Sequence, residues 1–139
     1  MTGGKSWPAG LLIGFTLLLG ACTAQQQQAL SGDDTNGANI TPTNYKADIA
    51  AAMHSYLNDP TDIRDAAVSP PVLKTIGLVA RYVACVQFNP KKNARDYAGV
   101  KTIAAVFLAG RFDHFIDKPK IECSGAAFAP FPELQKLPP

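Results

Sequence analysis

The chain has 139 residues and a formal net charge of +2, from 13 basic and 11 acidic residues. This length allows one small domain at most. The near balance of charge argues against nucleic-acid binding, which calls for a strongly basic face.

The first segment of the chain, residues 1–21, has the parts of a secretory signal. Lys5 supplies positive charge, and an apolar run over residues 10–20 follows it. This run is too short for a transmembrane helix, which needs about 20 apolar residues. We therefore expect the segment to direct export rather than to span a membrane.

The run Leu19-Gly20-Ala21-Cys22 at the end of this segment resembles the lipobox of bacterial lipoproteins. In that family a signal peptidase cuts before the cysteine, which carries acyl chains such as palmitate. The resemblance implies a mature protein that begins at a lipid-bearing Cys22. The alternative is an ordinary signal peptide that is cut after Ala24.

The residue after the cysteine bears on location. In Gram-negative lipoproteins, Thr23 at this position favours the outer membrane, whereas an aspartate favours retention at the inner membrane. By this resemblance we expect a lipid-anchored protein of the cell envelope, held at the outer membrane and facing the periplasm.

Residues 22–42 contain the lipidated cysteine and then a glutamine-rich, weakly apolar stretch without periodicity. Such a stretch cannot bury enough surface to offset its ordering entropy, so we expect a flexible tether. Its average reach as a random coil is roughly 25 Å. The predicted organisation is a signal peptide (1–21), a tether (22–42) and a small domain (43–139).

The two remaining cysteines, Cys85 and Cys123, form an even pair. In an exported protein such a pair predicts a disulfide. The alternative is a redox or catalytic cysteine, but the chain has no Cys-x-x-Cys spacing and no obvious activating histidine.

A helix is predicted over residues 44–58. Its apolar positions follow the helical period and are Tyr45, Ile49, Ala52, Met53, Tyr56 and Leu57. Strands are predicted over 63–69, 79–89, 100–108 and 111–117, with a hairpin turn at Ala109-Gly110.

The predicted fold class is α+β, with one N-terminal helix packed on a three- to four-stranded antiparallel meander in two layers. On the last strand, alternation places Phe112, His114 and Ile116 on one face. The tail over residues 126–139 is proline-rich, and we expect it to run extended with Phe128 and Phe131 against the core.

No catalytic motif is recognisable. His54 and His114 have no nucleophile or carboxylate at a motif spacing, so we assign no catalytic residue and no cofactor. The acidic group Asp59, Asp62 and Asp65 lacks the glycine and terminal glutamate of an EF-hand loop, so we assign no metal. A small hydrolase stays as a hypothesis that needs a histidine beside a serine and a carboxylate.

The loop over residues 89–99 is the best candidate for recognition, because loops on a rigid scaffold often carry function. It contains Lys91, Lys92, Arg95 and Tyr97. A basic loop of this kind suits anionic headgroups, phosphates or an acidic protein. The alternative is an ordinary solvated hairpin connection.

Five segments of the domain resemble a group of small uncharacterised lipoproteins from alphaproteobacteria of the rhizobial kind. They are Tyr56-Leu57-Asn58-Asp59-Pro60-Thr61 with Ile63-Arg64-Asp65-Ala66, then Arg81-Tyr82-Val83-Ala84-Cys85-Val86, Tyr97-Ala98-Gly99, Gly110-Arg111 and Pro130-Phe131-Pro132-Glu133-Leu134. The resemblance implies an exported lipoprotein and adds no mechanism.

Two functions follow from the sequence. The first is a membrane-anchored, non-enzymatic accessory that binds an envelope protein or a surface polymer. The alternative is a periplasmic module that binds an anionic ligand through the basic loop over residues 89–99.

Overall fold

The computed structural model describes Gly4 and residues 37–139, so the signal segment, Cys22 and most of the expected tether lie outside the described residues. Within the described residues the chain forms two helices and six strands. Their bounds are α1 Tyr45–Tyr56, β1 Arg64–Val68, β2 Val72–Ile76, β3 Val79–Asn89, β4 Lys101–Leu108, β5 Arg111–Asp117, β6 Ala129–Pro130 and α2 Pro132–Gln135. No helix in this part of the chain is long and apolar enough to cross a membrane.

The sheet is organised around β3. The strand order is β5-β4-β3-β1-β6, β2 also pairs with β3, and every pairing is antiparallel. Because β3 is 11 residues long, it accepts β2 and β1 one after the other along the same edge. Val72 of β2 lies opposite Val83, and Val68 of β1 lies opposite Val86. The prolines in residues 69–71 separate the two partners, since proline cannot donate to the ladder.

The predicted fold class is wrong. Over the described residues the chain is mostly a six-stranded antiparallel sheet, with 38% strand and 15% helix, rather than a helix packed on a small meander. β2 was not predicted, because the prolines at 70 and 71 interrupt the strand pattern before it. β6 was not predicted, because two residues are too few to show a period.

The long strands are as predicted. β3 and β5 have the expected bounds, and β4 begins one residue late at Lys101. Ala109 and Gly110 form the two-residue turn between β4 and β5, with φ of 51° and 75° respectively. Positive φ at both positions is what a tight hairpin of the type I′ kind requires.

One face of the sheet buries the larger core. Ile49 and Met53 of α1 are fully buried there, together with Ala84, Val86 and Phe88 of β3. The period-2 alternation of β3 places Ala84, Val86 and Phe88 together on this face.

The other face carries a smaller buried cluster of Val83, Cys85 and Ala104. Cys85 and Cys123 form a disulfide across this face, with their Cα atoms 5.7 Å apart. The predicted disulfide is confirmed. It fixes the irregular segment over residues 118–128 against the sheet.

The predicted face of β5 is wrong. The register between β4 and β5 shifts at Asp113, which is the extra residue of a β-bulge. As a result Phe112 and Phe115 pack with the larger core, whereas Ile116 packs with the smaller cluster. A bulge leaves no mark on hydrophobic alternation, so the sequence placed Phe112, His114 and Ile116 together.

The tail is more regular than predicted. It contributes β6 and α2, and Phe131 and Leu134 are fully buried in the larger core. Phe128 is partly buried against the smaller cluster. The two phenylalanines contact the core as expected, but the segment is not simply extended.

The chain enters the domain beside the two hairpin turns. The Ala109 amide donates a hydrogen bond of 2.9 Å to the carbonyl of Ala38. The Thr41 hydroxyl donates one of 2.9 Å to the Tyr82 hydroxyl, and Pro42 is fully buried. We call residues 37–42, 73–82 and 108–111 the entry end.

Candidate functional site

The basic loop lies at the opposite end of the sheet from the entry end. β3 begins at the entry end and finishes at Asn89, and β4 returns from Lys101. A strand of 11 residues spans roughly 33 Å at 3.3 Å per residue. We call residues 56–64, 89–101 and 117–118 the far end.

The loop is held in shape by its own hydrogen bonds. The Asn93 side-chain oxygen accepts from the backbone amides of Arg95 and Asp96, both at 2.9 Å. The Gly99 amide donates to the side-chain oxygen of Asn89 at 2.9 Å. Asparagine commonly fixes turns in this way, so the loop presents its side chains from a defined backbone.

Two of the four predicted loop residues are engaged within the fold. The Lys91 ammonium forms an ion pair with Asp62, and this hydrogen bond raises the pKa of Lys91. The Arg64 guanidinium lies 4.1 Å from the centroid of the Tyr97 ring, in a cation–π contact. Lys91 and Tyr97 also pair through a backbone bridge. Both residues therefore support the loop rather than project from it.

The other two predicted residues, Lys92 and Arg95, are exposed. Among the described residues their cationic groups make no ion pair or hydrogen bond, and the same holds for the ammonium of Lys101. These three cations are free to meet a partner.

A depression of about 530 Å³ lies between the loop and the end of α1. Three lysines and one aspartate line it: Lys91, Lys92, Lys101 and Asp59. Tyr56 forms part of its wall. We call this feature the far-end depression. Its excess of lysine makes it suitable for an anionic group.

Tyr56 is the residue that sequence reasoning placed least well. The helical period assigned it to the buried stripe, but it is 42% exposed at the last position of α1. Its ring lies 5.1 Å from that of Phe115, and its hydroxyl donates to the Asp117 carboxylate. Burial and then this hydrogen bond raise the pKa of Tyr56 to about 12.

Lys101 was also missed. It is the first residue of β4, just beyond the predicted loop. The position directly after a recognised loop is the only signal that the sequence offered for it.

The three aspartates of the acidic group have separate partners. Asp59 accepts hydrogen bonds from the Thr61 hydroxyl at 2.6 Å and the Thr61 amide at 2.9 Å, which lower the pKa of Asp59. Asp62 pairs with Lys91, and Asp65 accepts from the Asn89 side chain at 3.2 Å. Over the described residues, no three or more His, Cys, Asp or Glu gather as a metal site would require.

The two histidines lie apart from the loop. His54 is exposed on α1. His114 lines a groove of about 620 Å³ between α1 and β5, and its Nδ1 lies 2.8 Å from the Asp113 carboxylate. Ser55 lines the same groove, but within the described part of the chain it makes no hydrogen bond to His114. The groove thus holds a histidine–carboxylate pair without the bonded nucleophile of a triad.

No protein-family model, curated protein or solved structure gives a significant match to this chain. The resemblance to rhizobial lipoproteins and the lipidation of Cys22 therefore stay predictions.

Proposed function

We propose that this protein is a lipid-anchored, non-enzymatic envelope protein whose far end binds an envelope protein or an anionic surface polymer. The observation that carries the proposal is that the point of chain entry and the far-end depression lie at opposite ends of β3. The chain enters beside its first residues, at the Ala38–Ala109 hydrogen bond, and the far-end depression adjoins its last residues.

This arrangement suits an anchored binding protein. From a lipidated Cys22, the chain to Gly37 spans about 50 Å at most, and roughly 22 Å on average as a random coil. The entry end is then held near the bilayer. When β3 stands along the bilayer normal, the far end lies roughly 33 Å further out, by the length of β3.

The chemistry of the far end favours an anionic partner. Lys92, Arg95 and Lys101 are not neutralised by carboxylates within the described residues. Attraction between such exposed charges falls off over a screening length of about 8 Å at physiological salt. Tyr56 adds partly exposed aromatic surface beside the lysines, as interface centres commonly have.

A crosslinking pull-down from intact envelopes tests the proposal. The variant Lys92→Glu/Lys101→Glu removes the free cations of the depression. The matched control is Lys120→Glu/Lys136→Glu, which makes the same change in net charge at two exposed lysines elsewhere. A Cys22→Ser variant removes the lipid.

We expect the native protein and the control pair to capture the same partner, and the Lys92/Lys101 pair to lose it. Loss of capture in Cys22→Ser would tie binding to the anchor. Protease treatment of the captured material separates a protein partner from a polymer. Equal capture by both charge-reversed pairs would contradict a binding role for the far-end depression.

A second candidate is a module for a small anionic ligand at the same end. The observation that favours it is the size of the far-end depression, about 530 Å³, which is within the range of small-molecule sites. Since Lys91 is paired with Asp62 and Arg95 does not line the depression, Lys92 and Lys101 would carry the binding. Inorganic phosphate should raise the thermal unfolding temperature of the native protein and not that of Lys92→Glu/Lys101→Glu.

A further inference from the structure

The entry end has an exposed apolar surface. Leu78 has a relative exposure of 101%, the highest of the large hydrophobic residues that the structure describes. Ile40, Val79 and Leu108 are 55%, 48% and 40% exposed. Ile40 comes from the entry segment and Leu78 from the turn between β2 and β3. Val79 is the first residue of β3, and Leu108 is the last residue of β4. Contiguous exposed apolar surface commonly marks a contact site.

Leu78 projects because of the way the hairpin is built. Ile76 and Val79 are paired, so Gly77 and Leu78 form a two-residue turn in which Gly77 takes a φ of 63°. The pairing of β3 with β4 starts only at Tyr82. The β2–β3 hairpin therefore extends past the β4–β5 pair and carries Leu78 at its tip.

The charge of the entry end has one sign. Its residues include Lys74, Arg81 and Arg111 and no aspartate or glutamate. Lys74 donates to the backbone carbonyl of Glu122 at 2.6 Å, and Arg81 to that of Ala80 at 2.7 Å. Neither cation, nor Arg111, forms an ion pair within the described residues. The apolar tip is therefore bordered by three positive charges that no carboxylate neutralises.

We propose that the entry end rests on the bilayer surface, with Leu78 and Val79 entering the boundary between headgroups and acyl chains, and with Ile40 and Leu108 behind them at the level of Arg81 and Arg111. This inference rests on the proposed function, because the anchor at Cys22 is what brings the domain to the membrane. Arg81 and Arg111 then face anionic lipid headgroups. The contact orients the domain, so that the far-end depression points away from the bilayer.

A bilayer fits this surface better than a second copy of the chain does. Two copies joined at their entry ends would bring six uncompensated positive charges together, whereas anionic headgroups complement them. The dimensions also agree. Interfacial segments bury their apolar groups about 5–10 Å deep, and Leu78 lies about 10 Å beyond Arg81 along the strand. The leucine can reach the acyl boundary while the arginine stays among the headgroups.

Tryptophan fluorescence tests this contact in the protein extracted from membranes and reconstituted into vesicles containing anionic phosphatidylglycerol. The only tryptophan of the chain, Trp7, lies in the predicted signal segment. A Trp7→Phe background therefore has no tryptophan whether or not that segment is cleaved. Leu78→Trp places the probe at the tip. Ala94→Trp is the matched control, because Ala94 is exposed in the loop at the far end.

We expect the emission of Leu78→Trp to shift to the blue and to be quenched by lipids brominated on their acyl chains. Ala94→Trp should emit as in water and escape quenching. Adding Arg81→Glu/Arg111→Glu to Leu78→Trp should reduce the quenching, since the charges then repel the headgroups.

Flotation of the same vesicles separates the two proposals. A protein that floats while both probes emit as in water keeps the anchor and overturns the bilayer contact. A blue shift of Leu78→Trp without quenching overturns it too, because the tip is then buried against protein. A protein that does not float overturns the anchor and the contact together.

Discussion

The carbonyl oxygen of Ala38 accepts a hydrogen bond of 2.9 Å from the backbone amide of Ala109. This contact ties the incoming chain to the turn between β4 and β5. The fold itself thus fixes the end at which the chain arrives, and the far end is defined as its opposite. In the proposed membrane-anchored protein, this attachment makes the entry end the end nearer to the anchor.

A substitution at Gly110 tests the attachment between the incoming chain and the turn between β4 and β5. The φ of Gly110 is 75°, and a Cβ built on this glycine would lie 3.0 Å from Cγ2 of Ile40. Gly110→Ala should therefore lower the free energy of unfolding by about 1–2 kcal/mol for the backbone conformation alone, and further for the displaced Ile40. Urea denaturation measures the loss.

Gly125→Ala is the control for that substitution. Gly125 has a φ of 71°, but a Cβ there would meet nothing within 4 Å. Gly110→Ala should lower the free energy of unfolding more than Gly125→Ala does. Of the two variants, only Gly110→Ala should speed hydrogen exchange at the Ala109 amide. Equal losses for the two variants would show that Ile40 does not constrain the turn.

Ser69 contributes a buried hydrogen bond where β1 ends. Only 4% of it is exposed, and its hydroxyl oxygen accepts from the Cys85 amide at 2.8 Å. Ser69→Ala leaves that amide without this partner, so we expect a loss of about 1–3 kcal/mol in unfolding free energy. Ser55→Ala, at an exposed helical serine, should be neutral or slightly stabilising. If both variants unfold at the same urea concentration, the hydroxyl does not support the strand junction.

The disulfide should contribute to stability mainly by restricting the unfolded chain. Cys85 and Cys123 are 38 residues apart. By the chain-entropy relation, closing a loop of this size raises the free energy of unfolding by about 4 kcal/mol. Cys85→Ser/Cys123→Ser should therefore unfold at lower denaturant, and a reducing agent should shift the native protein in the same direction. Identical unfolding of the native protein with and without reductant would contradict this.

Tyr56 should give the chain an alkaline dependence of stability. Its pKa is raised from 10.0 to about 12, by burial and then by the Asp117 hydrogen bond. A raised pKa means that the protonated tyrosine favours the folded state. The contribution is fully present below pH 10 and is lost as the pH rises through about 12.

A titration of phenolate absorbance checks the assignment. Tyr56→Phe should remove the absorbance step at about pH 12. Asp117→Asn should move that step to lower pH, because no carboxylate then accepts the hydrogen bond from Tyr56. A high-pH step that persists in Tyr56→Phe would belong to another tyrosine and would contradict the assignment.

The sequence predicted structure correctly where a hydrophobic pattern ran over many residues or where two cysteines could pair. The alternation of β3 predicted its bounds, and the two cysteines other than Cys22 predicted the disulfide. Short or irregular features were not predicted. The strand after the proline pair, the two-residue strand β6 and the bulge at Asp113 leave no hydrophobic period to detect. The fold class was therefore wrong although most individual strands were right.

The candidate site was predicted in part for the same reason. The basic loop is visible in the sequence, and the cations of its Lys92 and Arg95 make no ion pair or hydrogen bond within residues 37–139. The partners that occupy Lys91 and Tyr97, which are Asp62 and Arg64, come from the segment that leads into β1. Contacts between distant segments depend on strand order, which local patterns do not contain.

The mass of the N-terminal peptide of the protein, extracted from its native membranes, tests the central claim most directly. The account predicts a chain that begins at Cys22 and carries acyl chains on that residue. A chain that begins after Ala24, or one that keeps residues 1–21 with an unmodified Cys22, would contradict the anchor and the orientation that depends on it.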